Sequence, residues 1–260
     1  MAGHPVLPKG TCVADHRRSA IRTAVVWDAL LAALEVQAAK AGRPVEVVDL
    51  GGGTGGSAVR IAQLGHRVTV VDPSPDALAS LERRAAEHGL RDRVRGVLGD
   101  AAGLLDVVAE SSADLALCHG VLEVIDDPPQ AIATLHTVLR PAAAFSVLAT
   151  QRHAAVLARA MAGHLVDAQH LLVDPAGRWG SGDPVPRRFT EAEIVSMLES
   201  AGFRPQTVHG IRTFTDLVPG ALVDVEPGAA ESLLALERAT AERPEFRAIA
   251  TQLHVVAIRD

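Results

Sequence analysis

The stretch PVEVVDLGGGTGGSAVRIAQLGHRVTVVDP, Pro44 to Pro73, decides the fold. An apolar run from Val45 to Leu50 breaks into Gly51, Gly52 and Gly53, then Gly55 and Gly56. An amphipathic segment from Gly55 to about Leu64 follows, Gly65 and His66 turn the chain, and a second apolar run, Val68 to Val71, ends in Asp72. Short β-branched runs flanking a segment of helical period predict strand, glycine turn, helix and strand. Glycines let the backbone turn tightly and approach a ligand, and the start of the next helix offers unpaired N–H groups. An acid at the second strand's carboxyl end can meet a ribose hydroxyl pair.

Two nucleotide patterns overlap in this turn. Gly51, Gly53 and Gly55 fit GxGxG, whereas Gly51, Gly53 and Gly56 fit the dinucleotide pattern GxGxxG. Asp49 tilts the choice, because a carboxylate two residues before the first glycine can receive a cationic amine. S-adenosylmethionine (SAM) carries such an amine, and a pyrophosphate does not call for that acceptor. The plainer reading is that Asp49 braces the loop and the glycines only turn it. The stretch resembles motif I of class I SAM-dependent methyltransferases, (D/E)xGxGxG, which implies a SAM site built from Asp49, Gly51, Gly53, Gly55, Asp72 and Pro73.

At 260 residues and 48% hydrophobic, the chain suits one Rossmann-like domain with additions. A net charge of −6 and a pI near 6.0 argue against a general polyanion binder. Cys12 and Cys118 give no disulfide framework, and no CxxC or HxxxH spacing points to a metal. The first residues lack a signal peptide's apolar core and no apolar run reaches bilayer length, so a cytoplasmic protein without membrane contact is expected.

Residues 1–13, rich in Pro and Gly, read as a mobile arm before a single domain over 14–260. A long helix, or two, is predicted from Ala14 to about Ala41. After the Gly-rich unit come helix Pro75 to His88, strand Arg93 to Leu98, strand Ala113 to Cys118, helix Pro129 to Leu139 and strand Phe145 to Ala149. Ser74 and Pro75 carry the start signals of the first of these helices. Such alternation predicts a parallel sheet with helices on both faces and right-handed crossovers. Residues 150–189 break the pattern with two short helices and the loop DPAGRWGSGDPVP; placed after the fifth strand, they read as a lid over the ligand crevice. A helix capped by Thr190, a strand Arg204 to Phe214, a helix Pro227 to Glu242 and a strand Leu253 to Ile258 complete the chain.

Asp100 and Ala101 follow the third strand, where class I methyltransferases commonly hold the adenine edge; capping the next segment is the competing role for Asp100. His119, at the switch region after the fourth strand, can reach cofactor or acceptor, and Glu123, one helical turn on, could orient it or stand as a solvated acid.

IRTAVVWDAL (Ile21 to Leu30), the glycine loop, His119 to Glu123, Val138 to Pro141, Ala160 to Gly163, Gly210 to Phe214 and Leu253 to Val255 together resemble the SmtA-type bacterial tRNA 5-carboxymethoxyuridine methyltransferases. That resemblance implies a seven-stranded, mostly parallel sheet with an antiparallel last strand, Arg22 gripping the SAM carboxylate, and Arg212 binding an acidic acceptor. Its guanidinium suits a carboxylate or phosphate through paired hydrogen bonds. The chain departs from the family in the insertion: Val173 to Gly180 replaces a lysine-rich run, and residues 151–220 hold seven arginines against seven acids. Arg178, Arg187 and Arg188 remain as a basic cluster, and with no tyrosine in the chain, base stacking would fall to Trp179.

These observations predict a SAM-dependent methyltransferase acting on an acidic or hydroxyl-bearing acceptor, with a small molecule favoured over tRNA. A carboxylate acceptor needs no general base; for a hydroxyl or amine, His119 or His153 is the candidate. The competing classes are a nicotinamide-dependent oxidoreductase, disfavoured by Asp49, and a non-catalytic SAM-binding protein.

Overall fold

The computed structural model describes the backbone of residues 9–260 and the side chains of 19–260 except Asp224. Residues 1–8 of the expected arm lie outside that range, and Lys9 to Val13 belong to a helix instead. Helix α1 runs unbroken over Lys9–Ala41. The glycine-rich unit folds as β1 (Glu46–Leu50), α2 (Gly56–Gln63) and β2 (Arg67–Asp72). Then come α3 (Pro75–Glu87), β3 (Val94–Leu98), α4 (Leu104–Val107), β4 (Ala113–His119), α5 (Pro128–Val138) and β5 (Leu139–Thr150). The insertion carries α6 (Arg152–Met161) and α7 (Leu165–Val173). Beyond it lie α8 (Glu191–Ser200), β6 (Phe203–Ile211), α9 (Gly220–Val225), α10 (Ala229–Thr240), α11 (Pro244–Arg247) and β7 (Gln252–Arg259).

The seven strands form one sheet in the order β3-β2-β1-β4-β5-β7-β6. All pairings are parallel except those of β7, which runs antiparallel to β5 and β6. This is the class I arrangement that the family resemblance implied. The chain winds outward from β1 to β3 and then returns to β4, so the strand order reverses between β1 and β4. A crevice opens there at the carboxyl ends.

Side chains alternate between two cores. Leu115 and Leu117 of β4 pack with Leu30, Leu34, Ile61 and Leu81 beneath α1 to α3. Ala116 and Cys118 point to the other face, with Ile132, Leu135, Phe145 and Leu198. At the amino ends, Asp114 accepts hydrogen bonds from Arg43, Arg140 and the Glu46 backbone, which ties α1's exit to β1, β4 and β5.

Local signals explain most boundaries. Ser74 accepts from the Ala77 N–H with Pro75 in the first turn of α3, Asp127 caps α5, and Thr190 with Glu193 forms a capping box on α8. Three short helices, α4, α9 and α11, were not expected. Strand β6 stops at Ile211, three residues early, for a physical reason. Arg212 takes φ +61°, in the left-handed region, and buried Glu237 collects the N–H groups of Thr213, Phe214 and Thr215 into a turn.

A candidate SAM and acceptor crevice

The glycine loop occupies the carboxyl end of β1 in a conformation that only glycine adopts without strain. Gly51, Gly53 and Gly55 have φ of +69°, +55° and +76°. A Cβ on Gly51 would lie 2.4 Å from Val121 Cγ2, and one on Gly55 2.0 Å from Leu81 Cδ1. Opposite the loop, Asp72 accepts from the Gly53 N–H through Oδ2 and from the Ser74 N–H through Oδ1, both at 2.9 Å. Each oxygen keeps a second lone pair for a hydroxyl.

Asp49 is 3% exposed, and its Oδ2 has no hydrogen-bond partner. Burial first, and the Asp72 carboxylate second, push its pKa up to about 7. An isolated carboxylate in such a place costs several kcal/mol unless a cation completes it. The unpartnered Oδ2, the glycine cradle and Asp72 together fit a cofactor bearing an ammonium group and a ribose.

Asp100 and Ala101 line a cavity of about 300 Å³ with Leu50, Gly51, Pro73 and Val121. Asp100 Oδ1 also accepts from the Ala102 and Gly103 N–H groups, which closes the turn before α4 without capping that helix, whose N-cap is Gly103. Its other oxygen remains for a ligand.

Half-buried His119 ends β4, and its Nε2 lies 2.8 Å from Ser146 Oγ. Burial lowers its pKa to about 4, so it is neutral at pH 7. Glu123 does not orient it. The Glu123 carboxylate turns to Thr150, accepting from its N–H at 2.6 Å and its hydroxyl at 2.8 Å. His153 is exposed on the first turn of α6, and no hydrogen bond joins it to the other candidates among the described residues. Arg212 pairs with Asp216 at 2.7 Å, and Arg22 reaches the other oxygen of the same carboxylate at 3.4 Å. The two arginines assigned to different ligands thus converge on one aspartate at the carboxyl end of β6.

A family profile described as "Methyltransferase domain" matches residues 47–142, the span holding the glycine loop, Asp72, Asp100 and His119. The chain is 30% identical over 194 residues to a malonyl-[acyl-carrier protein] O-methyltransferase of Pseudescherichia vulneris, covering 69% of this chain and 72% of the relative. The chain belongs to the SAM-dependent methyltransferases. It is also 28% identical over 240 residues to the tRNA 5-carboxymethoxyuridine methyltransferase of Escherichia coli (strain K12), covering 91% of this chain and 87% of that protein. Its fold is shared with a Burkholderia thailandensis 1,6-didemethyltoxoflavin-N1-methyltransferase holding S-adenosylhomocysteine. That match has a TM-score of 0.51 at 21% identity and covers 99% of this chain and 93% of the other.

In this methyltransferase the expected basic cluster is largely spent inside the insertion after β5. Arg188 makes a buried two-pronged pair with Asp183, at 2.6 and 3.0 Å. Arg187 donates to the carbonyls of Leu122, Ile125 and Asp126, fastening the insertion to the loop after β4. The Trp179 ring is covered by the Arg159 guanidinium at 4.1 Å. Among the described residues no helix is long and apolar enough to cross a membrane, and no group of three or more His, Cys, Asp or Glu could hold a metal.

Sequence reasoning missed Asp216, although its i,i+4 spacing from Arg212 was visible in RTFTD. It also missed that Ser146 and His254 meet His119 across the sheet. Ser146 carries no signal in FSVLAT, because its meaning arises only when β5 lies between β4 and β7.

Proposed function

We propose that this methyltransferase transfers the SAM methyl group to an oxygen of an acidic small molecule, a carboxylate being the acceptor that fits best. The observation that carries this reading is the convergence of Arg22 and Arg212 on Asp216. Two guanidiniums beyond the end of β6 share a single carboxylate, and their side chains are 49% and 27% exposed. That leaves donor capacity for one further anion.

Bound SAM supplies a methyl group already activated by its sulfonium. The chain's own residues then have to bind, orient and exclude water. In this reading Asp49 receives the ammonium, Asp72 the ribose, and Gly51, Gly53, Gly55 and Pro73 shape the cradle. Asp100 and Ala101 hold the adenine edge, Arg22 the methionyl carboxylate, and Arg212 the anionic acceptor beside His119. His153 keeps no assigned role, since it is exposed and joined to none of these groups.

A tRNA acceptor is the second reading, favoured by the 28% identity over 91% of the chain to the wobble-uridine enzyme. Against it stand Arg187, Arg188 and Trp179, whose donors and ring are already engaged within the protein. Phosphate contacts and base stacking would both need them free. The two named relatives' acceptors, a malonyl group and a 5-carboxymethoxyuridine, each carry a carboxylate on a methylene, which supports the acidic acceptor under either reading.

The test is to incubate methyl-labelled SAM with separated RNA and small-molecule extracts. Label is expected in base-labile esters of the small-molecule fraction. Salt-sensitive label in purified tRNA would reverse the order of the two readings.

A further inference from the structure

Three polar side chains cross the sheet beneath α1, where apolar contacts are the rule. Ser146 of β5 sits between His119 of β4 and His254 of β7, its Oγ 2.8 Å from one Nε2 and 2.7 Å from the other. Ser146 and His254 are fully buried. A hydroxyl has one proton, and the two imidazoles are the partners that Ser146 Oγ meets among the described residues, so it donates to one ring and accepts from the other, and the two rings are opposite tautomers. The His254 Nδ1 decides which. It is buried without any hydrogen-bond partner, and a buried orphan N–H is rarer and dearer than a bare lone pair. His254 therefore carries its proton on Nε2 and donates to Ser146, and Ser146 donates to His119 Nε2. Burial keeps both rings neutral.

We propose that Ser146 and His254 are positioning residues that hold His119 with its proton on Nδ1, so that the crevice receives a hydrogen-bond donor and not a base. This rests on the reading of the crevice as the acceptor site. A donor suits a carboxylate: it fixes one oxygen while the lone pair of the other forms the new O–C bond. The C–S bond breaks with its electrons going to sulfur, and an ester and a thioether result with no proton to remove. The same tautomer gives a hydroxyl or amine acceptor no base at this position.

The tautomer can be read without any substrate, from the ¹⁵N shifts and long-range ¹H–¹⁵N couplings of the histidine rings in the full chain at pH 7.5. His119 is expected as the Nδ1–H form and His254 as Nε2–H. Ser146→Ala should release His119 into a mixture of both forms. His254→Gln, which keeps an N–H near the Nε2 position, should retain the wild-type form, and His254→Leu should lose it. His119 found as Nε2–H in the wild type overturns the proposal, as does an unchanged His119 tautomer in Ser146→Ala. The wild-type spectrum decides even where a variant fails to fold. Because it involves no methyl transfer, its outcome is independent of whether the labelling experiment finds an acidic acceptor.

Discussion

Asp49 should behave as a proton switch for the cofactor, and its size can be worked from its surroundings. With the pKa pushed up to about 7, about nine-tenths of the free protein carries a proton on Asp49 at pH 6. A bound ammonium group requires the carboxylate, so SAM binding at pH 6 should expel about 0.9 proton. Its affinity should fall roughly tenfold for each pH unit below 7. The SAM amine is itself fully charged at that pH and contributes nothing to the count. Titration calorimetry in two buffers of different ionisation enthalpy measures the release directly, and Asp49→Asn should abolish it. The stability of the free protein should move the opposite way. The folded pKa lies above the unfolded one, so Asp49's contribution is present below about pH 4 and is lost as pH rises to 7. Asp49→Asn should therefore stabilise the cofactor-free protein at pH 8, by up to about 4 kcal/mol. No proton release at pH 6, or the same release from Asp49→Asn, would refute the assignment.

Further outcomes follow from single contacts. Gly55→Ala must place its Cβ against Leu81 and hold φ at +76°; SAM binding should be lost, with a drop of about 1 to 3 kcal/mol in denaturant stability. Arg188→Ala leaves Asp183 charged and buried, so the insertion should become protease-sensitive at a local cost of about 3 to 5 kcal/mol, while the sheet's unfolding transition stays intact. His119 has its pKa lowered to about 4, so its contribution to stability is present above about pH 6.5 and lost as pH falls towards 4. Urea midpoints measured across that window should shift less in His119→Asn than in the wild type. Arg212→Ala should raise the acceptor KM with little change in SAM affinity, whereas Arg22→Ala should weaken SAM; identical effects from both would mean that the arginines serve one ligand.

The nucleotide half was legible because its signals are local. Glycine positions, β-branched runs and the Ser74–Pro75 start each act over a few residues, and all were realised near the positions read from the sequence. The antiparallel β7 came from the resemblance alone, since nothing in QLHVVAIR states a direction. Arg187, Arg188 and Trp179 stood out as the residues an RNA would need, because charge and ring are visible in a sequence but partners are not. Asp183, five residues before Arg188, was the one local hint that the cation was already neutralised. Glu123 misled for a related reason: helical spacing from His119 was assumed, whereas Gly120, at φ +69°, turns the chain and sends Glu123 to Thr150.

Arg187's grip also joins two parts of the molecule that are far apart in the sequence. The carbonyls it binds include those of Ile125 and Asp126, and the same two residues line the cavity beside Asp100. The insertion and one wall of that cavity are therefore joined through a single guanidinium. A local opening that frees the insertion from this loop also removes the hydrogen bonds that steady the cavity wall.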